Sequence, residues 1–110
     1  MGAAENLERL LAAGTDTTTL RFALGMEYLK QGQAEHAIRH LSVAVRLDPR
    51  YSAAWKLLGR AQAAKGLRED AKASFERGIA VAEGRGDEQA AREMRVFLKR
   101  LSEPTDDPPS

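Results

Sequence analysis

Small and bulky residues recur along this chain at one fixed spacing. Sliding the sequence by thirty-four residues sets Leu24 on Leu58, Gly25 on Gly59, Gly32 on Gly66, Ala37 on Ala71, Leu41 on Phe75, Ala44 on Gly78, Val45 on Ile79 and Leu47 on Val81. Close helix crossings require small residues at set places and bulky ones opposite them. The offset therefore predicts a duplicated helix-turn-helix unit whose copies stack, with units at about 18–51 and 52–85.

The apolar periodicity and its breakers predict six helices. Leu7, Leu10 and Leu11 form a short stripe at i, i+3, i+4, which predicts a helix over about 4–13 ending at Gly14. Carried back by the same offset, Leu7 falls on Leu41 and Leu11 on Val45, so this helix reads as the second half of a missing unit. Asp16 or Thr17 is the expected N-cap of the next helix, which stops at Gly32; its partner stops before Pro49. The second unit repeats this over about 51–65 and 67–83, and Glu83 stands where a helix-ending proline would be. That helix is expected to run on to the Gly84-Arg85-Gly86 break. Asp87 then caps a sixth helix, over about 87–102, with Ala90, Ala91, Met94, Phe97, Leu98 and Leu101 on one face. Glu88, Arg92, Arg95, Lys99 and Arg100 occupy its other side, as suits a helix that closes a stack. The single domain is expected to span 1–102, leaving 103–110 as a disordered, acidic, Pro-rich tail.

The repeated residues resemble the tetratricopeptide repeats, whose consensus reads W-x2-L-G-x2-Y, then A-x3-F, then a proline. Trp55, Leu58, Gly59, Ala71 and Phe75 carry the likeness in the second unit, where Gln62 replaces the tyrosine. Leu24, Gly25, Tyr28, Ala37, Leu41, Ala44 and Pro49 carry it in the first, where Arg21 stands in place of the tryptophan. The resemblance implies an all-α solenoid of antiparallel helix pairs, here with an N-terminal half repeat and a C-terminal capping helix. It also implies protein–protein interaction without catalysis. Members that hold chaperone C-termini use a Lys/Asn/Arg clamp; at the matching places this chain has Phe22, Met26, Leu57, Asp87 and Ala91, so that subtype is not expected.

Composition narrows the function. The chain has 110 residues, 43% of them hydrophobic but only 5% aromatic, a balance that favours helix. Its net charge of +1 argues against a global field for nucleic acid or an anionic membrane. With no cysteine, no signal-peptide pattern and no apolar run of membrane-spanning length, a cytoplasmic protein is the default expectation. Nothing in the chain reads as a phosphate loop, a thiol nucleophile or a Ser-His-Asp arrangement, so no enzyme and no cofactor are expected. His36 and His40 stand at i, i+4, but no third ligand accompanies them; they read as a solvated outer-face pair, with no metal site expected.

The first unit's leading helix holds two apolar stripes about 160° apart, at roughly 100° per residue. Leu20, Leu24 and Tyr28 form one; Phe22, Met26 and Leu29 form the other. By the family resemblance, leading helices line a concave groove, which puts the second stripe there. The offset sets Lys56 on Phe22 and Arg60 on Met26, giving an apolar wall beside a basic one. The expected site is therefore Phe22, Met26, Leu29, Lys30, Lys56 and Arg60, taking a peptide with an apolar anchor and an acidic group. Three other readings compete. The N-terminal helix or the last helix could cover Phe22 and Met26, leaving Lys56 and Arg60 merely solvated. The stripe could dock a second copy, making a homodimer, or Arg92, Arg95 and Lys99 could meet an anion or RNA.

Overall fold

Gly25 and Gly59 have no room for a side chain. A Cβ on Gly25 would sit 2.3 Å from Leu41 Cγ, and one on Gly59 would sit 2.7 Å from Phe75 Cε1. The same contact is thus built twice, once in each unit, and it sets how closely the two helices of a pair cross.

A computed structural model describes residues 2–103 of the chain. It contains α1 (Ala3–Ala12), α2 (Thr18–Lys30), α3 (Ala34–Leu47), α4 (Ser52–Ala64), α5 (Arg68–Gly84) and α6 (Glu88–Ser102). Helices are the only regular elements among these residues, so the fold is an all-α solenoid. The expected tail lies, from Pro104 onward, outside the described residues.

Local signals explain the helix ends. Thr17 Oγ1 accepts from the Leu20 N–H at 3.1 Å, and Asp87 Oδ1 accepts from the Ala90 N–H at 3.1 Å, so α2 and α6 carry side-chain N-caps. Asp16, the other cap candidate, instead pairs with Arg21. Gly32 and Gly66 hold φ of 74° and 85° after α2 and α4, a left-handed turn that glycine adopts without strain. Without a proline to stop it, α5 runs to Gly84.

Helices pair in sequence: α2 with α3, α4 with α5, and α6 on α5. In addition α2 touches α4 and α4 touches α6, so the three leading helices lie side by side in one layer. The thickness of 19 Å matches two layers of helices at roughly 10 Å each. Ala37, Leu41, Ala44, Ala54, Leu57 and Leu58 fill the core between the units, while Ala71, Phe75, Ala91 and Met94 bind α6 to the stack. Although α1 packs on α2 as a half unit would, Leu10 of its expected stripe is 51% exposed.

Candidate functional site

The six residues expected to form one binding surface divide into three places. Met26, Leu29 and Lys30 from α2 meet Leu57 and Arg60 from α4 around a cavity of about 270 Å³. Met26 is 41% exposed and lines this cavity beside Arg60. Lys30 already pairs with Glu27 one turn earlier, at 3.2 Å.

Phe22 stands elsewhere. It packs against the inter-repeat core and stacks on Tyr51, with ring centroids 4.8 Å apart. Tyr51 sits in the short connection between α3 and α4, and burial pushes its hydroxyl pKa up. Phe22 is therefore no exposed anchor, because the connection between the repeats folds over it.

Lys56 is also drawn away. Its Nζ donates to Glu93 Oε1 of α6 at 2.9 Å, and that bond holds the Glu93 carboxyl below the ordinary carboxylate range. The pair borders a separate cavity of about 310 Å³ with Ser52, Asp87 and Gln89. Sequence reasoning set Lys56 beside Arg60 on one basic wall. The structure gives Lys56 its carboxylate from the chain itself.

Leu57, absent from the expected set, contributes to the cavity because it lies between Lys56 and Arg60 on α4 and turns toward α2. Its apolar character beside Leu58, which repeats Leu24, was the available signal. Arg60 borders the cavity and also places its Cζ 5.5 Å from the centre of the Phe97 ring on α6, a cation–π contact.

The histidine pair needs correction. His40 is buried, at 3% exposure, beneath α1 rather than solvated on an outer face. Its Nδ1 lies 3.0 Å from an Arg21 guanidinium nitrogen, which can only donate, so Nδ1 accepts and the neutral ring carries its proton on Nε2. Nε2 faces Glu8 Oε2 of α1 at 3.4 Å without hydrogen-bond alignment. Burial pushes the His40 pKa down, against the pull of Glu8. Glu8 in turn accepts from the Tyr28 hydroxyl at 2.7 Å, a bond that lowers the carboxyl pKa and raises that of the phenol. His36 lies against the Tyr28 ring instead. Among the described residues no group of three or more His, Cys, Asp or Glu side chains could hold a metal ion.

On the basic side of α6, Arg95 pairs with Glu83 of α5, so the Arg92, Arg95 and Lys99 cluster is partly neutralised by its neighbour. No helix among the described residues is long and apolar enough to cross a membrane.

Comparison with known proteins fits this architecture. A family model for the tetratricopeptide repeat matches residues 28–92, more than half the chain. A TPR repeat-containing protein of Pseudomonas aeruginosa is 50% identical over 97 residues, covering 88% of this chain and 92% of that one. The solution structure of a Bordetella parapertussis protein superimposes with a TM-score of 0.81 at 44% identity, covering 93% of this chain and 89% of its own. The Sgt2 TPR domain of Aspergillus fumigatus gives a TM-score of 0.67 at 27% identity, over 98% of this chain and 76% of that domain. With the duplicated Gly–Leu and Gly–Phe crossings, the two helix pairs and these matches together, the chain belongs to the tetratricopeptide repeat family, a class of generally non-catalytic protein-interaction modules.

Proposed function

We propose that this protein is a non-catalytic adaptor that holds a peptide segment of a partner protein in the groove between α2 and α4. Met26, Leu29 and Leu57 offer the apolar anchor, and Arg60 receives the acidic group. The observation that carries this reading is Met26, left 41% exposed while lining a cavity that Arg60 also lines. Lys56, paired with Glu93, and Phe22, packed on Tyr51, take no part in the contact.

Self-association is the rival reading. The large exposed apolar residues Leu10, Met26, Leu47 and Val96 lie on α1, α2, α3 and α6, and Leu67 just before α5, so no two of them come from one helix. Affinity capture from native lysate, followed by amide-shift mapping of the captured segment, tests the adaptor. Shifts centred on Met26, Leu29 and Arg60 are expected. Captured partners that shift only the outer helices α3 and α5, or a dimer that Met26→Glu converts to a monomer, would defeat it.

A further inference from the structure

Arg60 belongs to two cavities at once. Besides the α2–α4 cavity it borders a second cup of about 360 Å³, between α4, α5 and α6, where Ala63, Ala64, Phe97, Arg100 and Leu101 also contribute. The floor is aromatic: Phe97 stacks on Phe75 with centroids 5.5 Å apart and planes within 7°. Arg60 and Arg100 both lie over the Phe97 ring, at 5.5 and 5.9 Å from its centre.

The charges around this cup are unbalanced. Arg21, Lys30, Lys56, Lys65 and Arg95 form ion pairs, whereas other cations, Arg46, Arg77 and Lys99 among them, form none among the described residues; what sets Arg60 and Arg100 apart is the ring they share inside an apolar cup. Arg60 and Arg100 share a ring and form no ion pair among the described residues. A guanidinium in a cation–π contact still carries N–H donors for a carboxylate. Both guanidinium carbons lie within 5.9 Å of the same ring centre, so a carboxylate entering the cup gains charge-assisted hydrogen bonds from these cations.

We propose that the Phe97 cup takes a bulky apolar side chain of the partner peptide, with the carboxylate next to it held between Arg60 and Arg100. This rests on the groove reading and deepens it. Because Arg60 stands between the two cavities, the segment selected has an acidic centre flanked by apolar residues, one for the Met26 side and one for the Phe97 side. The chain's own residues 104–110 supply Asp106 and Asp107 but no bulky apolar side chain, so they could neutralise the arginines without filling the cup.

The probe is the acetylated and amidated peptide Leu-Glu-Glu-Leu, titrated into the full chain and followed by amide shifts, with Leu-Lys-Lys-Leu and Ser-Glu-Glu-Ser as comparisons. Only the first should give saturable shifts at Phe97, Arg100 and Leu101, and Arg100→Gln should weaken it about tenfold. Equal binding of the lysine peptide, or an unchanged affinity in Arg100→Gln, would overturn the proposal. Shifts at Met26 and Leu29 that never reach α6 would remove the cup and leave the groove standing; shifts on α6 alone would remove the groove and leave the cup. The Asp106→Asn, Asp107→Asn double variant should bind the probe within about twofold of wild type. A gain of about tenfold or more would make the tail the occupant and sink the external partner.

Discussion

His40 and Ser74 occupy the same place in successive repeats, thirty-four residues apart, and they are the two buried polar side chains among the described residues. Each is met by the residue at the consensus tyrosine position of its own unit. His40 lies face to face with the Tyr28 ring, with centroids 5.6 Å apart, and Ser74 Oγ donates to Gln62 Oε1 at 2.6 Å. The polar position is thus kept while its chemistry changes. One pair meets through ring stacking and the other through a hydrogen bond, so more than one pair of side chains fills this spot in the stack.

The two solutions respond differently to acid. His40 is neutral in the fold and its pKa lies below the ordinary 6.5, so the unfolded chain binds the extra proton first as pH falls. The contribution is whole above about pH 6.5 and is lost as pH drops toward the folded value. Arg21 and Tyr28 on α2, Glu8 on α1 and Arg39 on its own helix surround the ring, and protonating Nδ1 would break its bond from Arg21. Glu8, depressed below 4.5 by the Tyr28 hydroxyl, adds stability above about 4.5 that is lost at lower pH. Thermal unfolding at pH 7.5 and 5.5 should show a lower Tm in acid for wild type and a smaller difference in His40→Ser, whatever that variant's absolute stability. An equal acid loss in both would remove His40 as the cause.

Glycine substitutions should separate by contact and not by propensity. Alanine in a helix gains about 1 kcal/mol over glycine. At Gly59 its Cβ would meet the Phe75 ring at 2.7 to 2.8 Å, and the overpacking should produce a net loss of about 1–3 kcal/mol. At Gly84 nothing lies within 4 Å, so Gly84→Ala should stabilise by up to about 1 kcal/mol. Urea midpoints at constant slope read both.

Lys56 and Arg60 should behave unlike each other despite their like charge. The Lys56–Glu93 pair is partly exposed, so Lys56→Ala should cost less than about 1 kcal/mol in urea unfolding. Partner capture should survive that change, because the lysine already has a carboxylate. Arg60→Glu should abolish capture with an unaltered helical circular dichroism spectrum. Capture lost equally in both variants would mean that the Glu93 bond opens for the partner.

Met26→Glu should also remove capture while leaving thermal stability within about 0.5 kcal/mol, since the side chain is 41% exposed and no core position changes. Light scattering on wild type should give a mass near 12.1 kDa. A mass near twice that value, collapsing in the variant, would favour a dimer.

Much of the fold was legible because a repeat writes its own contact map. The shared offset of Gly25 with Gly59 and Leu41 with Phe75 marks the crossing of each helix pair, and the glycines after α2 and α4 mark their turns. The site was legible only in part. Met26, Leu29, Lys30 and Arg60 follow from helical periodicity on neighbouring leading helices, and they do meet around one cavity. Phe22 was misread because Tyr51, in the connection outside either helix, covers it. His40 was misread because the helix that buries it, α1, lies outside the two matched copies.

From the order of residues alone came the helices, their caps and their pairing, since these depend on spacing within one repeat length. The tertiary structure decided which charges remain unanswered. Lys56 meets Glu93 across thirty-seven residues, while Arg60 and Arg100, forty apart, come to share the ring of Phe97. The electrostatic balance of a surface depends on distances across helices, and those distances exist only once the stack has closed.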